Sequence, residues 1–276
     1  MSLFCKKNLL AWCIVPFDAC QRTPQQRAEM LQRLGIGALA YDWRQKDIDT
    51  FDEELQQLRA HGIRLSAFWL SGGDPPDAQG MWDDPQLGPV LQFIQRNELH
   101  IEVWKMLPEK ELCAIADIEE RYDEATRLVQ IQAKVFRDLG CTYGLYNHGG
   151  WCGQPQTMVE VARRSAEQQV GIVYNFHHGH EHLSLMPDAF AAMLPHLLCV
   201  NLNGMASQGP QVLPLAEGDD DAAILRMVAD SGYSGPIGIL DHRPDTDAEL
   251  SLKQNLAGMQ TLLRELGDED ALATYQ

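Results

Sequence analysis

Eight short apolar segments recur along the chain, and each is followed by a polar segment with helix-compatible spacing. They occupy residues 9–17, 37–43, 64–70, 100–107, 142–147, 171–176, 197–202 and 236–241. Short continuous apolar runs are typical of strands buried on both faces, as in a parallel sheet. Eight strand–helix units within 276 residues therefore predict an α/β protein, a (β/α)8 TIM barrel formed by a single domain over residues 1–276.

Helix start and stop signals lie between these segments. Thr23 followed by Pro24 is the N-terminal signature of a helix that we expect to extend to Leu34. The longest predicted helix extends over residues 120–139 and ends at Gly140, and another over residues 219–231 ends at Gly232. These boundaries agree with the alternation of strands and helices.

The chain is strongly acidic. It has 22 Lys and Arg residues against 39 Asp and Glu residues, a net charge of −17. Such a surface repels phosphate backbones and anionic lipids, and no apolar run approaches the roughly 20 residues of a membrane helix. We therefore expect neither nucleic acid nor a membrane as partner. A small anionic substrate is not excluded, because local basic groups override the global field.

Cysteine usage indicates a reducing compartment. The seven cysteines are widely spaced and form no C-x-x-C pair, and most lie in apolar runs, where a free thiol acts as a small apolar side chain. The basic and apolar start of the chain resembles a signal peptide superficially, but Asp18 occupies the position where a small residue precedes cleavage. We interpret this start as the first buried strand and expect a cytoplasmic protein.

Polar and aromatic residues collect where the predicted strands end, which is where barrels of this type build their active sites. Five of the nine histidines fall between His148 and His182. Aromatic faces mixed with amides and imidazoles are what a carbohydrate pocket needs. The candidate substrate-binding residues are Asp42, Trp43, Trp104, Tyr146, Asn175, His178, Asn201 and Asn203.

Two basic residues are candidates for catalysis. His148 shares strand parity with Tyr146 and should point into the barrel mouth, although a hydrogen bond to the Gly149–Gly150 turn is an alternative. Lys105 is predicted to point inward, where it would neutralise an enolate or bind a phosphate. The alternative is that the Lys105 side chain extends to solvent.

Two carboxylates are candidate general bases, because proton abstraction next to a carbonyl needs a positioned base. Asp241 is the stronger candidate, and Asp42 is the weaker one. For each, a structural ion pair is the alternative, with Arg243 for Asp241 and with Arg44 for Asp42.

Three segments carry a family resemblance. Residues 146–150, Tyr-Asn-His-Gly-Gly, resemble the Glu-Asn-His-Gly-Gly element of xylose-isomerase-like sugar isomerases and epimerases. Residues 171–178 resemble their sixth strand, which normally ends Asp-x-x-His, and residues 215–219 with 232–241 resemble their seventh-to-eighth unit, which normally ends in Glu. The resemblance covers nearly the whole chain, and it implies a xylose-isomerase-like TIM barrel.

The resemblance also implies a divalent metal, which the family typically holds with a Glu, an Asp, a His and a Glu from strands five to eight. The matching positions here are Tyr146, Asn175, Asn201 and Asp241. A hard cation needs anionic oxygens, so we expect these four not to form a metal site. A relocated transition-metal site is the open alternative, with ligands from His148, His177, His178, His180, His182 and Asp241.

The resemblance implies a sugar isomerase, an epimerase or a related lyase that acts on a small carbohydrate through an enediolate. In this hypothesis Asp241 or His148 moves the proton. The oxyanion is stabilised by a further set of residues, Lys105, His178, Asn175, Asn201 and Asn203. A second hypothesis is a non-catalytic sugar-binding protein that kept the pocket. A third, DNA repair by a fold shared with endonuclease IV, conflicts with the acidic charge.

Overall fold

The eight predicted strands close into a parallel barrel in chain order. The computed structural model describes residues 2–70, 73–207 and 209–276. Each strand pairs in parallel with the next, and the last pairs with the first. The strands are β1 (Leu9–Trp12), β2 (Ala38–Tyr41), β3 (Arg64–Leu70), β4 (Glu102–Lys105), β5 (Thr142–Tyr146), β6 (Gly171–Asn175), β7 (Leu197–Leu202) and β8 (Ile237–Leu240). The predicted (β/α)8 barrel is confirmed.

Helices surround the barrel and connect consecutive strands. They are α1 (Pro24–Leu34), α2 (Phe51–Ala60), α3 (Ala78–Asp83), α4 (Leu87–Arg96), α5 (Glu109–Cys113), α6 (Ile118–Asp138), α7 (Pro155–Arg164), α8 (Met186–Met193), α9 (Asp221–Asp230), α10 (Ala248–Leu266) and α11 (Glu269–Leu272). Among the described residues, no helix combines the length and the apolar character needed to cross a membrane.

Local capping explains where the helices begin and end. The Thr23 side chain accepts a hydrogen bond from the Gln26 backbone amide, and the Gln26 side chain accepts one from the Thr23 amide, which is a complete capping box before α1. Asp117 caps α6 by accepting from two backbone amides. Gly140 follows α6 with φ of 82°, a left-handed conformation that glycine adopts without strain.

Strand side chains alternate between two apolar layers. Residues such as Leu39, Phe68 and Val200 face the helices and form the larger core. The opposite face fills the barrel interior, where the ring centroid of Trp12 lies 4.9 Å from that of Trp104 and 5.7 Å from that of Tyr146. These rings form the floor beneath the carboxyl ends of the strands, as bulky side chains do in packed barrels.

Candidate active site

Four imidazoles meet at the carboxyl ends of β5, β6 and β8; we call them the histidine cluster. It comprises His148, His177, His178 and His242. Ring centroids lie 3.5 Å apart for His177 and His178, 4.3 Å apart for His148 and His178, and 4.9 Å apart for His177 and His242. Three predicted site positions thus come together with His242.

Burial keeps the histidine cluster uncharged. Loss of hydration, with a smaller effect of the neighbouring imidazoles His148 and His242, lowers the pKa of His178 to about 3. Burial likewise lowers the pKa of His148 and of His242, and it holds the pKa of His177 well below its usual value. Both ring nitrogens of His177 are buried and have no hydrogen-bond partner among the described residues. The cluster therefore presents neutral imidazoles near pH 7.

A cavity of about 410 Å³ opens beside this cluster. Its walls include Tyr146, His148 and the two glycines of the Asn-His-Gly-Gly segment, with residues 106–111 opposite. Glu109 fixes the glycine loop by accepting hydrogen bonds from the backbone amides of Trp151 at 2.9 Å and of Cys152 at 2.8 Å. A cavity of this size is within the range of small-molecule sites.

Tyr146 connects the cavity to the aromatic floor. Its ring centroid lies 6.2 Å from that of His178 and 6.3 Å from that of Trp104. Burial raises the pKa of the Tyr146 phenol well above its usual value. Tyr146 is therefore a neutral hydrogen-bond donor, and Trp104 lies beneath it in the packed interior.

An amide pair lies in the barrel interior near the carboxyl ends of β6 and β7. Asn175 and Asn201 occupy paired positions in the two strands and are fully buried. Asn147 fixes the end of β6, because its side chain donates to the Asn175 carbonyl at 3.0 Å and accepts from the Asn175 amide at 2.6 Å. Among the described residues, the Asn175 side chain and the Asn201 Nδ2 have no hydrogen-bond partner.

Asp42 is a buried carboxyl at the end of β2, only 1% exposed. Its Oδ1 accepts from the Val15 backbone amide at 3.3 Å, while its Oδ2 has no partner among the described residues. Burial raises the pKa of this carboxyl to about 8, although the nearby positive charge of Arg44 lowers it. Asp42 is thus largely protonated at neutral pH.

Lys105 lies elsewhere than expected. Its neighbour Trp104 fills the barrel interior, so Lys105 faces the helices on the opposite side of β4. There its ammonium pairs with Asp74 at 3.1 Å, and Asp74 accepts a hydrogen bond from Gln132 of α6 at 2.9 Å. The expectation that Lys105 points into the barrel is wrong, because Lys105 lies on the same face of β4 as Val103, which packs against the helices.

Asp241 also lies apart from the cavity. Leu240 faces the interior, whereas Asp241 follows the helix-facing side of Ile239. Its carboxylate lies 3.5 Å from Nε of Arg243, and the Arg243 guanidinium contacts Ser251 of α10. Burial raises the pKa of Asp241 to about 6, against the lowering effects of Ser251 and Arg243. This geometry corresponds to the ion-pair alternative.

Two further predicted positions have structural contacts. Trp43 packs outside the barrel, where its indole N–H donates to the Trp69 carbonyl at 2.7 Å. The Asn203 amide donates to the carbonyls of Gly204 at 2.8 Å and Gln211 at 3.1 Å, and thereby holds the loop after β7.

The residues at the family's metal positions do not fit a hard cation. Tyr146, Asn175 and Asn201 supply no anionic oxygen, and Asp241 lies on the helix side of β8. Within the described ranges, one group of at least three His, Cys, Asp or Glu ligand atoms lies within 4.8 Å of one another, namely Asp18, Cys20 and Asp247. Arg22 pairs with both of those carboxylates at 2.7 Å, which makes the group a structural brace.

Three residues at the mouth were not among the predicted site residues. The Phe17 ring lies on that of His242, with centroids 3.9 Å apart, and the Arg44 guanidinium lies over the Phe17 ring. The alternation of side chains along a strand could have identified two of them. Arg44 lies two residues after Asp42, and His242 lies two residues after Leu240, so each is expected on the same face as that earlier residue.

Comparison with known proteins adds the fold family. No family model matches the chain, and no curated protein matches it. Many solved structures are similar, among them the following three. The 3-keto-D-glucoside 4-epimerase YcjR from E. coli is 12% identical with a TM-score of 0.67, over 93% of this chain and 100% of that one. A xylose isomerase-like TIM-barrel protein from Mycobacterium smegmatis, in complex with magnesium, is 16% identical with a TM-score of 0.61. The match covers 96% of this chain and 97% of that one.

The probable 3-DHS dehydratase AsbF from Bacillus anthracis is 12% identical with a TM-score of 0.66, over 89% of this chain and 97% of that one. Similarity at this level of identity concerns the fold. The chain has the xylose-isomerase-like TIM-barrel fold, as the resemblance of its sequence segments predicted.

Proposed function

We propose that the chain is an enzyme that moves a proton next to a carbonyl of a small carbohydrate or sugar derivative, as an isomerase, an epimerase or a related lyase. The observation that carries this proposal is the cavity beside the Asn-His-Gly-Gly segment, which is lined by both a neutral imidazole, His148, and a neutral phenol, Tyr146. A base and a hydrogen-bond donor around one small cavity are what enolisation needs.

In this proposal His148 takes the proton, because it lines the cavity and is the exposed member of the histidine cluster. His178 packs against it, with the two ring centroids 4.3 Å apart, and positions the His148 ring, which itself returns the proton. The Tyr146 hydroxyl donates to the developing oxyanion. Asn175 and Asn201 orient the substrate hydroxyls through side-chain atoms that lack partners among the described residues.

The fold family supports the substrate class. One similar structure is named a 3-keto-D-glucoside 4-epimerase and another a probable dehydratase, so both proposed reaction types occur in proteins of this fold. The net charge of −17 argues against nucleic acid or an anionic membrane as partner. All seven cysteines are free thiols, which fits the proposed cytoplasmic location.

A substrate screen tests the proposal. The purified chain is incubated with a panel of aldoses, ketoses, keto sugars and their acid derivatives, and products are followed by ¹³C NMR. We expect conversion of at least one substrate, with loss of conversion in His148→Gln but not in His196→Gln. His196 lies just before β7, at the opposite end of the barrel, and makes this a matched control. Ligand binding in a thermal-shift assay without any conversion would support the sugar-binding alternative.

A further inference from the structure

Arg44 is fixed at the barrel mouth by contacts on several sides. Its Nη1 donates to the backbone carbonyls of Asp42 and Trp43, both at 2.8 Å. The guanidinium carbon lies 5.1 Å from the ring centroid of Trp69 and 5.9 Å from that of Phe17. Such contacts hold a cation in place, and Arg44 remains partly exposed.

Within the part of the chain that the structure describes, the Arg44 guanidinium forms no ion pair with a carboxylate. Among the described residues, no carboxylate oxygen lies within 4.0 Å of its guanidinium, and Nε and Nη2 have no hydrogen-bond acceptor. The nearby Asp47 carboxylate accepts instead from the Arg44 backbone amide at 2.7 Å. The Asp42 carboxyl, whose pKa is raised to about 8 by burial, is largely neutral at pH 7.

Arg44 also belongs to the same mouth as the histidine cluster. It lies over Phe17, Phe17 stacks on His242, and His242 stacks on His177 with ring centroids 4.9 Å apart. A partly buried guanidinium that has no carboxylate partner among the described residues is unusual in a protein with a net charge of −17. The missing counter-charge therefore points to a ligand.

We propose that the ligand of this mouth carries a carboxylate, and that Arg44 binds it through Nε and Nη2. The planar guanidinium edge matches a carboxylate in a bidentate pair of hydrogen bonds. A single positive charge among neutral imidazoles balances one negative charge, whereas a phosphate ester carries up to two. The carboxylate assignment rests on the proposed function, and it places the substrate in the class of acidic sugar derivatives.

An NMR titration of the wild-type chain tests the binding. Arginine Nε–H signals are followed during addition of glycolate, of ethylene glycol as the neutral analogue, and of inorganic phosphate. The Arg44 signal, assigned by its loss in Arg44→Lys, is expected to shift saturably with glycolate and not with ethylene glycol. Arg59 and Arg226 report non-specific effects. A glycolate shift no larger than theirs overturns the proposal, and so does a saturable phosphate shift at lower concentration.

A second experiment separates this inference from the proposed function. With an acidic substrate, Arg44→Gln should lower kcat/KM about 10- to 100-fold, the effect of one charge-assisted hydrogen-bonded contact, while Arg59→Gln should not. Conversion of neutral sugars with equal efficiency by wild type and Arg44→Gln would overturn the carboxylate proposal and leave the enzyme proposal standing. Saturable carboxylate binding without any conversion would support Arg44 and count against the enzyme.

Discussion

His148 and His178 face each other at the ends of two adjacent strands, with ring centroids 4.3 Å apart. His148 borders the cavity, whereas His178 is half-buried behind it. Burial lowers the pKa of both rings, so both are unprotonated over the neutral range. In the proposed proton transfer His148 is thus the base, and His178 holds the His148 ring in position.

The pH dependence of turnover follows from these lowered pKa values. A base is active in its unprotonated form, so kcat/KM should stay constant as pH falls from 8 toward 6.5, the ordinary value for histidine. The decline should begin only below that value. A pH profile of kcat/KM with a verified substrate measures this, and an acid limb with an apparent pKa above 6.5 would contradict the role of His148.

Asp42 should make the protein less stable as pH rises. Its pKa is raised from 3.8 to about 8 in the folded state, so the unfolded chain releases this proton at lower pH. The stabilising contribution of the protonated carboxyl is complete below about pH 3.8 and is lost as pH rises toward 8. Asp42→Asn should therefore gain free energy of unfolding relative to wild type between pH 5 and pH 8.

Urea unfolding of both proteins at these two pH values measures that gain. Asp49→Asn is the control, because its carboxyl is exposed on the surface. The free energy of unfolding of Asp42→Asn could instead differ from that of wild type by the same amount at both pH values. That result would show that the Asp42 carboxyl titrates normally.

The Lys105–Asp74 pair should contribute to stability. The Lys105 side chain is only 4% exposed, so removing it leaves a partly buried carboxylate without its partner. Lys105→Met should lower the free energy of unfolding by about 3 kcal/mol. Lys134→Met, which breaks a surface pair with Asp138, should cost less than about 1 kcal/mol. Both free energies are measured by denaturant unfolding. If Lys105→Met and Lys134→Met lost equal amounts of free energy of unfolding, the Lys105–Asp74 pair would contribute no more than a surface ion pair.

Asp241→Asn should leave catalysis largely intact. Asp241 pairs with Arg243 on the helix side of β8 and does not border the cavity near His148. We expect turnover within about tenfold of wild type, since a general base contributes about 10² to 10⁴. A loss of 10² or more in a variant that unfolds like wild type would restore Asp241 as the base.

The strands could be predicted because each buried run carries its own local signal. The predicted first segment, residues 9–17, was longer than β1, because Cys13 has φ of 59° and ends the strand after Trp12. No apolar pattern reveals such a change of backbone conformation. Helix ends with a cap, such as Thr23 before α1, were predictable from sequence.

The facing of individual strand residues could not be predicted so well. In a strand buried on both sides, both faces are apolar, so alternation alone does not tell inside from outside. The predicted inward orientation of Lys105 fails for this reason, since the neighbouring Trp104 occupies the interior. The histidine cluster was partly predictable from residues 148–182, but His242 joins it from a strand distant in sequence.

Hydrogen exchange with solvent tests the proposed proton transfer most directly. A substrate from the screen is incubated in D₂O with wild type, His148→Gln or the His196→Gln control, and deuterium on the carbon next to the carbonyl is measured by NMR. The account predicts enzyme-dependent incorporation that falls about 10²- to 10⁴-fold in His148→Gln and is unchanged in His196→Gln. Conversion at full rate in His148→Gln, with undiminished deuterium incorporation, would contradict it.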